Sequence, residues 1–150
     1  MQNLDSKAKE GKINEDASIR DRQSVIINAR IEKVWEVLTN VNDWPSWNPD
    51  IKSTKYEKLE VGAPFEWSLK GTHLKSSFQL IEEPTRIAWT GKSKVIKAIH
   101  VWELEASDEQ TIVTVEESIE GFIVPVFNRN SKLHDNLLRW LSHLKQEAEK

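Results

Sequence analysis

The sequence predicts an α+β domain in which an antiparallel sheet, buried on one side, is followed by one long helix. Three patterns lead to this prediction. Between Ile51 and Gly121, several short runs place apolar residues at every second position, which is typical of strands with one buried face. After Gly121 the apolar period becomes 3.6, as in a helix. Before Ile51, a β-branched run precedes a short helical pattern.

Composition limits the classes of protein that fit. The chain has 150 residues, 38% of them hydrophobic and 30% charged, which suits one globular domain with a sizeable core. No apolar run approaches a transmembrane helix and no secretory signal is visible, so we expect a cytoplasmic protein. The net charge of −3, without basic clusters, argues against nucleic acid as a partner. Cysteine is absent and no cofactor or metal motif is found, so we expect neither.

The polar N-terminal stretch differs from the rest of the chain. Residues 1–20 contain only isolated apolar side chains, which predicts a flexible tail ahead of a domain at 21–150.

The β-branched run Ser24–Ala29 predicts the first strand. Helical spacing then predicts a short helix over Ile31–Thr39, and the two prolines of Asn42–Pro49 predict a loop or a single helical turn.

The central runs are separated by credible hairpin turns. Tight turns are expected at Gly71-Thr72, Pro84-Thr85 and Ser107–Gln110. Pro125 suits the first turn of the last helix, whose apolar stripe is Val126, Leu133, Leu137, Leu141, Leu144 and Ala148. The apolar face of the sheet is the only large partner for this stripe. A sheet that curls around one helix leaves a cavity unless large side chains fill it.

The last hairpin predicts a polar pair on the apolar face. The turn can be taken as two residues, Asp108-Glu109, or as four, Ser107–Gln110, and both choices pair Ala106 with Thr111. Counting back along the strands then places His100 opposite Glu117 and Trp102 opposite Val115. Directly opposed Cβ atoms lie within about 5.5 Å. The His100–Glu117 pair could therefore anchor a ligand's polar group or serve as an acid and a base. It could equally be a structural cross-strand pair that satisfies its own hydrogen bonds.

Seven tryptophans are the most unusual feature of the composition. The turns at Gly71-Thr72 and Pro84-Thr85 place Trp67 opposite Ser76, Phe65 opposite Phe78 and Trp89 opposite Leu80. These side chains then share the concave face with Trp102. They could line an aromatic pocket or fill the core. The residues expected on this face are Phe65, Trp67, Phe78, Leu80, Trp89, Trp102 and Val115.

Several short motifs follow one another along the chain in a fixed order. They are Val25-x-Ile27-x-Ala29, Val34-Trp35, Trp44-Pro45-x-Trp47-x-Pro49, Gly62-x-x-Phe65, Glu83-Pro84-x-Arg86-Ile87-Ala88-Trp89, His100-x-Trp102-x-Leu104, Thr111-x-Val113 and Trp140-Leu141-x-x-Leu144. In this order they resemble the START-like superfamily, also described as SRPBCC, Bet v 1-like or polyketide cyclase/dehydrase, over about Ser24 to Glu149. The resemblance implies a helix-grip fold, in which a seven-stranded antiparallel sheet curls around the C-terminal helix over a deep apolar cavity.

The resemblance also suggests where a cavity would open. In relatives, the segment that holds Trp44 and Trp47 helps to form the entrance, so these indoles are candidates for a gate or for a hydrophobic latch. On the last helix, Asn130 and His134 share the side of Leu133 and Leu137. The two polar residues could reach the polar end of a cavity or face water.

Function is less determined than fold, because one fold hosts many activities. The first hypothesis is binding of a small hydrophobic or amphipathic ligand, lipid-like or polyketide-like, in an internal cavity. The alternative is a cyclase/dehydratase-type enzyme that uses His100 and Glu117. A third is a protein-interaction module. We expect a small hydrophobic molecule as partner and no integral membrane association; the oligomeric state stays open.

Overall fold

A computed structural model, which describes residues 3–121 and 130–150, confirms the predicted α+β architecture. One antiparallel sheet has seven strands in the order β1-β7-β6-β5-β4-β3-β2. The strands are β1 (Ile19–Ile27), β2 (Ile51–Tyr56), β3 (Pro64–Leu69), β4 (Thr72–Glu82), β5 (Arg86–Lys92), β6 (Ile96–Ser107) and β7 (Gln110–Gly121). The helices are α1 (Leu4–Lys9), α2 (Ile31–Thr39), a 3-10 turn (Val41–Asp43), α3 (Trp44–Trp47) and α4 (Asn130–Ala148).

Helix α4 lies against the concave face of the sheet. The described part of its apolar stripe is buried, whereas the predicted positions Pro125 and Val126 lie outside the described residues. Helix α4 makes extensive contact with β1. Leu138, the neighbour of the stripe residue Leu137, is exposed. Among the helices of the described residues, none combines the length and the apolar character that crossing a membrane requires. The buried residues of the stripe are Leu133, Leu137, Trp140, Leu141, Leu144 and Ala148.

The β3–β4 hairpin turns one residue earlier than the sequence suggested. Lys70 and Gly71 occupy the turn with φ angles of 49° and 87°, the positive values that a tight hairpin turn requires. Trp67 therefore pairs with Leu74 rather than with Ser76, and Phe65 pairs with Ser76 rather than with Phe78. The register shifts by two residues, so each side chain keeps its predicted face.

A β-bulge in β4 moves one predicted residue to the other face of the sheet. Phe78 pairs with Trp89 and Leu80 pairs with Ala88, so Gln79 is an extra residue between them. Such an insertion reverses the alternation that follows it. Leu80 packs with Ala88 on the outer, convex face. The prediction that Leu80 lies on the concave face opposite Trp89 was therefore wrong.

The N-terminal segment also differs from the prediction of a flexible tail over residues 1–20. From Asn3 onward it is folded: the Asn3 side chain caps α1 by accepting a hydrogen bond from the Ser6 amide at 2.8 Å. The backbone N–H of Asn14 donates to Ser118 Oγ at 3.0 Å, and β1 begins at Ile19. Sparse apolar residues suffice here because the convex face of the sheet is itself apolar. The cluster between segment and sheet contains Leu4, Ala8, Ile13, Leu80, Ala88, Ile99 and Val101.

Candidate ligand cavity

Trp44 lies at the centre of the core, not at a cavity entrance. It is fully buried, and its ring centroid is 5.4 Å from that of Trp67, 5.6 Å from Trp89 and 5.1 Å from Trp140. Its Nε1 donates to the Leu38 carbonyl at 2.9 Å. This hydrogen bond lets the polar edge of the indole be buried with the rest of the ring. The entrance role expected for Trp44 was therefore wrong.

Trp47 is buried as well, and its ring packs against Trp140 at 5.9 Å. Neither Trp44 nor Trp47 lines the cavity described below. Both indoles belong to α3, which packs against the edge strand β2. They hold this segment to the core, as in the latch interpretation.

Most of the predicted aromatic lining fills the core instead. The rings of Phe65 and Phe78 stack at 4.4 Å, and those of Trp89 and Trp102 stack at 6.4 Å. These side chains touch one another rather than empty space. The expected lining residues that are buried in this packed region, away from the cavity, are Phe65, Phe78, Trp89, Trp102, Val115 and Leu137.

A cavity of about 560 Å³ remains between the sheet and the first half of α4. Among the described residues, four of the predicted site residues line it: Trp67, His100, Glu117 and Leu133. Its described walls are mainly apolar, and the charged and amide side chains that they include outside the strands are Lys70, Lys132, Asp135 and Asn136. The other described lining residues are Leu69, Thr72, Leu74, Gly91, Ser93, Val95, Ile96, Ala98, Ile119 and Trp140.

Sequence reasoning missed part of this lining although a usable signal was present. Ala98 pairs with Ile119 two residues beyond the His100–Glu117 pair. The same alternation that placed His100 inward also places Ala98 and Ile119 inward. Trp140 follows Leu137 at helical spacing on the buried side of α4. The size of the space itself carried no sequence signal.

The His100–Glu117 pair forms in the predicted register. His100 Nε2 lies 3.3 Å from Glu117 Oε2, with side-chain exposures of 5% and 10%. The imidazole stacks on Trp89 at 5.1 Å and meets Trp67 edge-on at 5.9 Å. Its Nδ1 is buried without a hydrogen-bond partner in the described part of the chain. The ring is thus held in place, and one of its nitrogens is buried without a partner among the described residues.

Burial governs the charge of this pair. It raises the pKa of the Glu117 carboxyl to about 8 and lowers the pKa of the His100 imidazole to about 3. Low dielectric disfavours the charged form of both groups. At neutral pH the pair therefore consists of a protonated carboxyl and a neutral imidazole. It can donate a proton, but its imidazole is a weak base.

The two polar residues expected on α4 do not add to the cavity. His134 is half-exposed, and its Nδ1 contacts Asp21 Oδ2 at 3.0 Å and Gln23 Nε2 at 2.9 Å. These contacts lie along β1, so the prediction that His134 binds the ligand was wrong. The predicted role of the Asn130 side chain lies outside the described residues. Within 3–121 and 130–150, no group of three or more His, Asp or Glu side chains is placed to hold a metal ion.

The geometry agrees with the family that the sequence matches. The family described as "Polyketide cyclase / dehydrase and lipid transport" matches residues 18–149. The chain belongs to this family. The match begins after α1, so most of the N-terminal segment lies ahead of it. A search of curated proteins found no match.

Solved structures share the fold at low sequence identity. A hypothetical protein from Helicobacter pylori superposes with a TM-score of 0.78 and 19% identity, covering 89% of this chain and 90% of its own. A START superfamily protein from Mycobacterium smegmatis gives 0.74 and 13%, covering 87% and 97%. The Zhui aromatase/cyclase from a Streptomyces species gives 0.74 and 17%, covering 87% and 93%. These similarities establish the helix-grip fold.

Proposed function

We propose that the chain binds one small hydrophobic or amphipathic molecule, lipid-like or polyketide-like, in the cavity beside α4. The cavity carries the proposal. Its volume of about 560 Å³ falls within the roughly 300–1,000 Å³ that is typical of small-molecule sites. Mostly apolar walls with a few polar groups are the usual composition of such sites.

The chemistry of the walls indicates how a ligand would be held. Leu74, Ile119 and Leu133 offer apolar surface, and Trp67 and Trp140 offer aromatic faces. Burial of the ligand's apolar area would supply most of the binding free energy. The few inward polar groups would orient the ligand rather than supply its affinity.

Native mass spectrometry of protein purified from its own host tests this proposal. We expect a discrete stoichiometric mass that is lost on denaturation and can be identified. Ala98→Phe should abolish it, because the new ring occupies the cavity. Ala106→Phe is the matched control, since the same change on the same strand falls at an exposed position outside the cavity lining. Equal ligand content in both variants would exclude this cavity as the site.

A second candidate, an enzyme of the cyclase or dehydratase type, is favoured by the buried His100–Glu117 pair. With its pKa raised to about 8, Glu117 is a proton donor at neutral pH, for instance to a leaving hydroxyl. The same burial leaves His100 a weak base, so the pair supplies an acid without a strong base. Ligand binding is therefore the better-supported function.

The enzyme hypothesis is tested with a substrate identified from the bound material. His100→Ala should abolish turnover while circular dichroism shows an unchanged fold. Glu117→Gln, which cannot donate an acidic proton, should abolish turnover too. Unchanged turnover in either variant would refute the assignment of that residue.

The third hypothesis, a protein-interaction module, gains little support from the surface. The exposed large hydrophobic residues in the described part of the chain are Ile26, Val61, Val95 and Leu138. They belong to β1, to two loops and to α4 respectively. Exposed apolar residues scattered in this way are usual for a monomer and do not indicate a partner.

A further inference from the structure

We propose that a group of exposed lysines on and beside the convex face of the sheet docks the protein to an anionic lipid bilayer. The group consists of Lys75 on β4, Lys92 on β5, Lys94 in the hairpin that follows, and Lys97 on β6. We call it the lysine patch. This inference goes beyond the proposed ligand binding and does not depend on it.

The strand register places three of these lysines side by side. Lys75 is paired with Lys92, and Lys92 is paired with Lys97 on the next strand. The neighbouring residues Gly91 and Ala98 line the cavity on the concave face. Side chains alternate between the two faces of a strand, so the three lysines point to the convex face. The Cβ atoms of paired residues lie about 4.5–5.5 Å apart, and like charges at this distance destabilise a sheet.

Two glutamates flank this row, and another side chain binds each of them. On the β3 side, Glu66 Oε1 contacts His73 Nε2 at 2.8 Å. The pKa of the Glu66 carboxyl is lowered, first by this hydrogen bond and also by attraction to Lys75. On the β7 side, Glu120 Oε2 accepts a hydrogen bond from Asn14 Nδ2 at 2.8 Å. Both glutamates lie at the ends of the row, so its central lysine keeps a lysine on each side.

The lysine patch is not neutralised by the rest of the chain. Within residues 3–121 and 130–150, no ion pair involves any of its lysines. The other residues, 1, 2 and 122–129, include no Asp or Glu. Lysines on edge strands can prevent unwanted strand pairing, but β4, β5 and β6 lie in the interior of the sheet. The repulsion therefore has no structural purpose in the sheet and indicates an external anion as partner.

An exposed apolar residue beside the lysine patch favours a bilayer over other polyanions. Val95 is 44% exposed and directly follows Lys94 in the β5–β6 hairpin. Attraction of basic residues to anionic headgroups, together with apolar contact, is typical of binding to a lipid surface. Nucleic-acid sites use arginine and aromatic side chains for base contacts, and the lysine patch contains neither. Val95 also lines the cavity, so docking through this hairpin would bring the cavity close to lipid.

Co-sedimentation of the full chain with vesicles tests this proposal. We expect binding to vesicles of equal parts phosphatidylserine and phosphatidylcholine, and no binding to phosphatidylcholine alone. Binding should weaken as salt is raised, because salt screens exposed charges. Lys92→Glu should lower the affinity roughly twentyfold, since it changes the lysine patch by two charges. Lys33→Glu is the matched control, because it makes the same charge change at an exposed position on α2 and should bind like the native protein.

Two further measurements separate docking from misfolding and from simple charge attraction. Lys92→Glu should raise the urea unfolding midpoint, because the new carboxylate faces a lysine on each neighbouring strand. Its loss of vesicle binding then cannot result from unfolding. Val95→Ser should weaken vesicle binding but leave its salt dependence unchanged. Val61→Ser, at an exposed valine in the loop before β3, is the control and should bind normally.

Each contrary result overturns a defined part of the proposal. Equal vesicle affinities of Lys92→Glu and Lys33→Glu would overturn the role of the lysine patch. A urea midpoint that does not rise in Lys92→Glu would overturn the repulsion on which the inference is based. Binding of polyphosphate or duplex DNA that depends on Lys92, without vesicle binding, would overturn the bilayer as partner. No ligand is added in these measurements, so their failure leaves the proposed cavity function standing.

Discussion

The two ends of the concave face follow one period-two pattern but differ in how completely side chains fill the space between the sheet and α4. At the packed end, defined by Trp44, Phe65, Phe78, Trp89 and Trp102, the rings contact one another. At the cavity end, defined by Gly91, Ala98 and Ile119, neighbouring strands carry smaller side chains. Alternation determines which residues face inward, whereas their volumes determine whether a cavity remains.

The His100–Glu117 pair lies on the boundary between these two ends. Trp89 pairs with His100 on one side, and Glu117 pairs with Asp21 on the other. Two ionisable groups at this position would be costly in a fully packed core. Here they border both the aromatic cluster and the cavity, and they are the ionisable side chains that the described strands contribute to the cavity wall.

The largest expected difference between the ends comes from truncating the central indole. Trp44→Ala should destabilise the protein by about 3–5 kcal/mol, because a fully buried ring with four aromatic neighbours is replaced by empty space. Ile119→Ala at the cavity end should cost much less, since Ile119 already borders empty space. Chemical denaturation of both variants measures this. Equal costs would remove the distinction between the ends.

Enlarging a side chain should have opposite effects at the two ends. Val115→Phe, beside Trp102 in the packed end, should destabilise by about 1–3 kcal/mol because the core has no room for the extra volume. Ala98→Leu should stabilise by about 1 kcal/mol by filling part of the cavity. Urea unfolding midpoints of the two variants provide the comparison. Destabilisation by Ala98→Leu comparable to that by Val115→Phe would mean that the cavity end is also tightly packed.

The buried pair should give a distinctive dependence of stability on pH. The pKa of Glu117 is about 8 in the folded state against an ordinary value of 4.5, and that of His100 is about 3 against 6.5. Between pH 4.5 and 6.5 the folded and unfolded pairs bind the same number of protons, so their contribution is flat. Above pH 6.5 the unfolded chain also loses the His100 proton, while the folded state still holds the Glu117 proton, so stability should fall by up to about 2 kcal/mol by pH 8.

Thermal unfolding from pH 6 to pH 8.5 measures this fall. Glu117→Gln should abolish it, because the amide does not titrate. His100→Phe should retain it, since the titrating carboxyl remains. A native profile parallel to that of Glu117→Gln would show that Glu117 is already ionised in the folded protein.

The smallest expected effect concerns the hydrogen bond that links the two ends. Trp67 Nε1 donates to Ser76 Oγ at 3.0 Å, and Trp67 contacts both Trp44 and His100. Ser76→Ala should cost about 1 kcal/mol. Ser53→Ala is the control, because its hydroxyl bonds Ser68 at an exposed site and should cost almost nothing. A larger loss of stability in Ser53→Ala than in Ser76→Ala would contradict the stabilising role of the Trp67–Ser76 hydrogen bond.

The sequence predicted the pairing of the last hairpin because that pairing depends on local information. One turn at Asp108-Glu109 and an uninterrupted alternation place His100 opposite Glu117. The β3–β4 turn was predicted one residue too late. The resulting register error is two residues, an even number, so Trp67 and Phe65 still face inward as predicted. The same reasoning gave the wrong face for Leu80, because the bulge at Gln79 breaks the alternation. No turn-forming residue in the sequence indicates this bulge.

By itself, the sequence determined the order of the elements from the first strand onward, the apolar stripe of α4 and the inward faces of most strands, because periodicity and turn chemistry act within a few residues. Only the tertiary structure decided the rest. Trp44 enters the core by bonding the Leu38 carbonyl, and Ala8 docks on a convex face that the chain builds far downstream. The cavity likewise depends on volumes contributed by distant strands and by α4. Such packing depends on contacts between residues far apart in the chain, and no local sequence pattern predicts it.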